Sequence, residues 1–366
     1  MSETVLLTGA TGFLGMELLA RLLERGDDEV IVLVRASDEA AAVERLNGVL
    51  ARLYDTAPHT AERVRALPAD VSLPQLGLSA THRREVLART SSIVHCAASI
   101  AFDLPLEEAR NINAGGAARM LELAHELDAT GRLRRVVHVS TAYVCGRRRG
   151  VFGERDEAAT ASFRNTYEHS KADGERVLAA AGEGLPLAVA RPSIVVGDSR
   201  CGWTPSFNVV YWPLQAFARG LIDEIPADPA GTLDIVPVDY VADGILALHE
   251  DEEIAGTVNL VAGRHAVSNR RLLELACAQF GRAEPPFAAD GALPGVRQAD
   301  VYLPYFDVHA RFDDERARAL LDPRAIACPP LERYFSTLMD YAASTRWGKR
   351  APTRQSTHAA AAAEAV

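Results

Sequence analysis

Tyr167 and Lys171 stand four residues apart in the stretch "NTYEHSKADGERVL" (165–178). On a helix that spacing puts both side chains on one face. A phenol beside an ammonium is an acid/base pair. Tyrosine ordinarily titrates near pH 10, and an adjacent positive charge favours the phenolate and draws it toward a neutral working range. The choice of residue sharpens this reading, because Lys171 is one of two lysines, with Lys349, in a chain whose Lys and Arg together number 39. A compact ammonium fits beneath a tyrosine where a forked guanidinium is too bulky. The third member of such a group is a hydroxyl at the end of a neighbouring parallel strand. "VVHVSTAYVCG" (136–146) offers Ser140 and Thr141, and strand alternation turns only one of them toward a cleft.

A Tyr-x-x-x-Lys pair arises by chance on many surface helices, so its weight comes from what precedes it. "TGATGFLG" (8–15) sets Gly9, Gly12 and Gly15 between an apolar strand-like run and an amphipathic helix pattern. Glycine there permits a tight turn and close backbone approach to a pyrophosphate, which the helix N-terminus then receives. A strand before and a helix after make this the start of a dinucleotide-binding βαβ unit. At the end of the second strand, where an acid would hold the ribose of NAD, the sequence reads "VLVRAS" and places Arg35. A guanidinium pairs with a 2'-phosphate, so the expected cofactor is NADP(H), with Lys171 bonding its ribose. Arg45, in the next helix pattern, is a second guanidinium of the same kind or a plain solvated residue.

The elements that must position these groups alternate. Strand-like runs at 4–8, 29–35, 63–71, 91–99, 133–141 and 185–197 are separated by helix patterns at 13–26, 39–53, 115–127 and around 166–181. Strand then helix, repeated, predicts an α/β fold, a doubly wound parallel sheet of Rossmann type, over residues 1–197. The rhythm returns at 232–263, and the irregular stretches 198–231 and 264–348 are expected to form a smaller C-terminal substrate-binding region. The alanine-rich end, 349–366, has no apolar periodicity and is expected to be disordered.

Composition narrows the classes. A net charge of -10 argues against a general nucleic-acid binder. Five scattered cysteines, 96, 145, 201, 277 and 328, lack metal-ligand spacing, so no metal site is expected and a reducing cytoplasm fits. No apolar run reaches the 18 to 20 or so residues of a membrane span.

Taken together, "LTGATGFLG", "VR" (34–35) with "RL" (45–46), "ADVSLPQLGLS" (69–79), "IVHCAAS" (93–99), "NINAGGA" (111–117), "VSTAYV" (139–144), "YEHSK" (167–171) and "RPSIVVG" (191–197) resemble the extended short-chain dehydrogenase/reductases. Within them the chain is similar to the branch of fatty acyl-CoA reductases and carrier-protein thioester reductases. The resemblance covers roughly the first 250 residues. It implies Thr141, Tyr167 and Lys171 as the catalytic triad. For the cofactor it implies Gly9, Thr11, Gly12, Phe13, Leu14 and Gly15, then Arg35, Arg45, Asp70, Val71, Ala97, Ala98, Lys171, Pro192, Ser193 and Ile194. Asn113 matches a position that is mainly structural. Cys96 departs from the usual Asn, and "YVCG" from the "VYG" of sugar epimerases. The implied activity is NADPH-dependent reduction of an acyl thioester, on coenzyme A or an acyl or peptidyl carrier protein, to an aldehyde or onward to an alcohol. A homodimer is allowed for. The rivals are a nucleotide-sugar epimerase or dehydratase, a hydroxysteroid-type dehydrogenase, and a non-catalytic NADP(H) sensor.

Two stretches bear on the substrate. In "CGWTPSFNVVYWPLQAFARG" (201–220), Phe207, Val210, Tyr211, Leu214 and Phe217 read as a helical stripe packed on the core, with an acyl-chain tunnel as the alternative. "GRRRG" (146–150) reads as a solvated loop, with recognition of coenzyme A or phosphopantetheine phosphates as the alternative.

Overall fold

A computed structural model describes residues 3–207, 209–288 and 297–364. The first two and last two residues, Asn208 and the part of the C-terminal region at 289–296 lie outside the described residues.

Seven strands form one parallel sheet: β1 (Thr4–Thr8), β2 (Glu29–Val34), β3 (Val64–Pro68), β4 (Ser92–His95), β5 (Arg135–Val139), β6 (Leu187–Pro192) and β7 (Gly256–Leu260). Their order is β7-β6-β5-β4-β1-β2-β3. Both faces are covered, which is why these strands are continuous apolar runs instead of alternating ones. Val5, Leu7, Val30 and Val32 pack under α1 (Phe13–Arg25), α2 (Glu39–Leu53) and a later helix, Val238–Glu250, while Leu6, Ile31 and Leu33 face α3 (Ala80–Arg89) and α4 (Leu106–Ala129). The strand order reverses between β1 and β4, and ligands of open α/β sheets bind at the carboxyl ends of strands flanking such a point.

Helix α5 (Thr166–Ala181) packs on α4. Residues 198–231 hold α6 (Tyr211–Ala218), and α7 (Val238–Glu250) returns to the sheet. Beyond β7 come α8 (Asn269–Phe280), α9 (Glu315–Leu321) and α10 (Phe335–Ser344). A second apolar core lies here, with Tyr211, Leu214, Phe217, Leu272, Phe335 and Leu338 in it. The helical-stripe reading holds for Tyr211, Leu214 and Phe217 on α6, with Val210 buried just ahead of the helix; Phe207 lies outside the helix and is only partly buried. Short strand pairs stitch this region to the sheet domain: Ile194–Val196 runs parallel to Ile235–Pro237, and Gly150–Phe152 parallel to Ala310–Phe312.

The expectation of disorder for 349–366 is corrected over most of its length. Arg354–Glu364 forms α11, and its docking is largely polar, with Ala361 packed against the apolar core. Arg354 is buried and donates to Glu17 (2.9 Å) and Glu24 (2.7 Å) on α1. Glu17 is fully buried and also pairs with Arg21, whose Nε donates to Asp243 of α7 at 2.7 Å. Alanine composition gave no hint of this, because the anchor is one arginine and its partners lie more than 300 residues away.

Removing Arg354 leaves a buried carboxylate with one cation in place of two. Arg354→Ala is expected to lower the unfolding free energy by about 2 kcal/mol. Urea denaturation checks the loss, and limited proteolysis should then cut preferentially ahead of α11; an unchanged midpoint would mean α11 is not held by this network.

Candidate active site

Every residue singled out from the sequence for cofactor or chemistry lines one cleft of roughly 970 Å³ at the carboxyl ends of β1, β2, β4, β5 and β6. The glycine turn forms its floor. Gly9 has a φ of +80°, and a Cβ there would lie 2.7 Å from the Ala97 nitrogen. At Gly15 a Cβ would lie 2.0 Å from the Gly9 carbonyl oxygen, so α1 starts against the turn with no room for a side chain. Gly12 precedes the first residue of α1, and no side chain caps that end. The turn is tied to the loop after β4 through Thr8, whose Oγ1 accepts the Ala97 N–H (3.1 Å) and bonds His95 Nδ1 (2.8 Å).

Arg35 is exposed at the end of β2, and the Arg45 guanidinium donates to the Arg35 carbonyl, so two cations share that corner of the cleft. Asp70 lies nearby; its Oδ1 accepts from Ser72 N (2.8 Å) and Ser72 Oγ (2.6 Å).

At the other end stand Thr141, Tyr167 and Lys171. Thr141 stands close enough to the Tyr167 hydroxyl to influence its titration, and its Oγ1 accepts the Tyr143 N–H at 3.3 Å. Lys171 is buried, and its Nζ donates to the Val139 carbonyl, the last of β5, at 2.6 Å. Alternation resolves the hydroxyl choice. Thr141 meets Tyr167, whereas Ser140 turns away and donates to Glu175 Oε1 at 2.5 Å. Arg191 of β6 holds Glu175 from the other side, Nε to Oε1 at 2.9 Å. Asn113 is a clamp: its Oδ1 accepts Ser99 N (2.8 Å) and its Nδ2 reaches Ser170 Oγ (2.8 Å), joining the loop after β4 to α5.

The electrostatics differ from the expectation for the pair. Burial pushes Tyr167 above the ordinary range, with the Thr141 side chain opposing it. Burial also pulls Lys171 down to about 8, against the raising influence of Cys96 and Glu175. A desolvated phenol resists ionising, and the ammonium is directed to a backbone carbonyl; Tyr167 is thus a neutral hydroxyl able to give a proton.

Aromatic groups that sequence reading did not single out close the cleft. The Phe102 ring lies 5.7 Å from Tyr167 and 5.3 Å from both Tyr302 and Tyr305, and Tyr143 meets Tyr305 edge-on at 4.9 Å. The density of "YLPYF" (302–306) was the available signal. Glu175 had one too, being four residues past Lys171 on the same helix face. Arg147, Arg148 and Arg149 are exposed and are not among the walls of this cleft.

The glycine turn, the reversal of strand order above it, and a Tyr-Lys pair beside a strand-end hydroxyl define an extended short-chain dehydrogenase/reductase. Residues 7–245 match the family described as "Male sterility protein", and the chain belongs to that family. Among curated proteins it is 31% identical to fatty acyl-CoA reductase 1 of Homo sapiens over 280 residues, covering 67% of this chain and 54% of that protein. It is 27% identical to the probable fatty acyl-CoA reductase 5 of Arabidopsis thaliana over 313 residues, covering 67% and 62%. The chain thus spans little more than half the length of these relatives. Among solved structures, the terminal R domain from the myxalamid PKS-NRPS biosynthetic pathway superposes with a TM-score of 0.81 at 25% identity, covering 96% of this chain and 93% of that one. The UDP-glucuronic acid 4-epimerase of Bacillus cereus in complex with NAD shares the fold, with a TM-score of 0.68 at 18% identity over 94% and 98% of the two chains.

The contact between Gly15 and Gly9 involves backbone on both sides, so no side chain can move aside. Gly15→Ala is expected to destabilise the protein by about 1 to 3 kcal/mol through displacement of the turn or of α1. Denaturant unfolding measures this; a wild-type midpoint would show that the turn has slack the geometry does not display.

Proposed function

We propose that this protein is an NADPH-dependent reductase of acyl thioesters, yielding an aldehyde and, through a second reduction, the alcohol. The convergence of Tyr167, Thr141 and Lys171 on the cleft opened by the glycine turn carries this reading. The cleft's residues suit a dinucleotide: side-chain-free backbone at Gly9 and Gly15 gives a phosphate room, and the uncapped start of α1 offers it N–H groups. Arg35 and Arg45 favour the 2'-phosphorylated form, since they place cations where an NAD enzyme places an acid. Asp70 and Val71 would flank the adenine, and Ala97, Ala98, Pro192, Ser193 and Ile194 would pack along the rest.

When bound, the cofactor supplies a hydride to the carbonyl carbon. The Tyr167 and Thr141 hydroxyls bond the carbonyl oxygen, and Tyr167, kept protonated by burial, gives its proton as charge develops there. Lys171 holds α5 against β5 and supplies a positive charge beneath the tyrosine. Loss of the thiol from the resulting hemithioacetal leaves the aldehyde.

The thioester as substrate is supported by likeness to proteins named fatty acyl-CoA reductases and to the reductase domain at 25% identity. A thiolation-reductase di-domain also shares the fold, which makes a carrier-bound acyl chain the second form of the same chemistry. An apolar cavity of about 70 Å³ between α6 and α8, lined by Leu214, Phe217, Leu272, Leu273, Leu303 and Phe306, is suited to the end of an acyl chain.

The deciding experiment follows NADPH oxidation by purified protein with a long-chain acyl-CoA, the matching aldehyde or a UDP-sugar, with NADH as the control. Turnover of the thioester, preferring NADPH and falling about a thousandfold or more in Tyr167→Phe, is expected. Activity on the aldehyde or sugar alone would sink the thioester reading. The pH dependence has a sign of its own. Lys171 has been lowered from 10.5 to about 8, so its charge is complete below pH 7 and lost as pH rises through 8. A fall in kcat/KM above pH 8 is therefore expected, and a flat profile to pH 10 would remove Lys171's charge from the mechanism.

A further inference from the structure

A second groove, of about 680 Å³, adjoins the cleft across Phe102, whose side chain lines both. Its walls include Ser162, Arg164, Asn165, Thr166 and His169, and Thr166 immediately precedes Tyr167. The groove and the cleft thus meet at Phe102, whose ring stands 5.7 Å from that of Tyr167. Phe102, Phe163 and Pro304 also line it, so the groove mixes apolar surface with polar groups, as suits a chain that carries both methyl or methylene groups and amides, in contrast to the apolar cavity between α6 and α8.

The loop at 146–150 follows the groove wall. Arg147 N donates to Ser162 O at 2.8 Å, and Arg164 Nη1 to Gly146 O at 2.6 Å. Arg147, Arg148 and Arg149 on this loop are exposed, and so is Arg311, whose strand position pairs with Val151. Among the described residues none of these four forms an ion pair with a carboxylate; the Arg148 guanidinium lies 5.6 Å from the Phe152 ring centre. The neighbouring acids are engaged elsewhere: Asp156 accepts Gly153 N (2.6 Å), Glu154 accepts Asn259 N (2.9 Å) and Asp313 accepts Glu315 N (3.0 Å). In a chain of net charge -10, four guanidiniums without a carboxylate partner among the described residues, on the loop joined to the groove wall and the strand paired with it, form a local concentration of positive charge.

We infer that the groove at 160–166 receives the pantetheine arm of the thioester, and that Arg147, Arg148, Arg149 and Arg311 bind the phosphate at that arm's far end. This rests on the thioester reading above. The arm's amides meet the hydroxyl and amide side chains of the groove, the thioester carbonyl reaches Tyr167 past Phe102, and the phosphate emerges among the arginines. Coenzyme A and the prosthetic group of a carrier protein share this chemistry.

The test compares acyl-CoA, the phosphate-free acyl-pantetheine and an acyl carrier protein as substrates. It uses wild type, the triple variant Arg147→Ala, Arg148→Ala, Arg149→Ala, and a charge-matched control, Arg52→Ala, Arg132→Ala, Arg333→Ala, whose arginines are exposed elsewhere. Wild type and control should prefer acyl-CoA to acyl-pantetheine by about tenfold in kcat/KM, the sum of a few exposed charge pairs, and added salt should erode that preference. The triple variant should abolish it, and should lose the carrier-protein substrate equally, with melting temperature retained. Equal loss on phosphate-bearing and phosphate-free thioesters, or a preference that survives the triple substitution, would overturn the site. A loss confined to the carrier protein would also overturn it, in favour of a protein-docking face. Turnover of aldehyde with none of any thioester in wild type would instead be the failure of the underlying reading.

Discussion

One buried contact sets the geometry of the site: the Lys171 ammonium against the Val139 carbonyl at 2.6 Å. An ammonium taken out of water is costly unless it is hydrogen-bonded, and here its partner is the last acceptor of β5. That contact sets the rotation of α5 about its own axis, and Tyr167, one turn earlier, is carried toward Thr141, two residues beyond Val139. Ser140, between them in sequence, faces the other way into the Glu175–Arg191 pair. β5, α5 and β6 are thereby joined through largely buried charged groups. A guanidinium at 171 has neither the compactness nor the single-point donor geometry for this place. This contact accounts for a lysine at 171 in a chain that mostly uses arginine.

The same burial decides which way the tyrosine works. The sequence argument supposed that a neighbouring ammonium draws the phenol down toward neutral pH. In the folded protein, burial pushes the phenol in the opposite direction. In the proposed reduction, a group that delivers a proton to a developing oxyanion must start as the neutral hydroxyl, so desolvation favours that direction of reaction.

The sheet domain was legible because its strands are apolar runs and helices such as α1 and α2 carry an apolar stripe, signals that are local in sequence; α3, with Val86 alone buried, carried no such stripe and was not read. The glycines at 9, 12 and 15, Arg35, Thr141, Tyr167 and Lys171 were legible for a related reason: each sits at the end of a regular element, where position in the sheet follows from position in the chain. Phe102, Tyr143, Tyr302 and Tyr305 were not, since they come from loops and short turns whose placement depends on one another. Arg354 is the sharpest case. Its surroundings in sequence are alanines and small polar residues, and what orders α11 is Glu17, fully buried on a helix near the other end of the chain. Pattern reading detects apolar faces and does not detect an ion pair between distant segments.

The illegible region is also the one that the proposed chemistry leaves free to vary. Hydride and proton transfer need positions held to fractions of an ångström, and these lie on strand ends and on α5. Recognition of an acyl chain needs only apolar volume of suitable shape, which the short segment at 302–306 helps to wall. Tyr302 and Tyr305 face the cleft, while Leu303 and Phe306 line the apolar cavity behind. One short stretch thus lies between the cleft that holds Tyr167 and the apolar cavity. Changing its side chains would alter what fits without disturbing the contact between Lys171 and Val139 that sets the reacting groups. A fold that keeps these two tasks on different elements can hold one reaction constant while its substrates change.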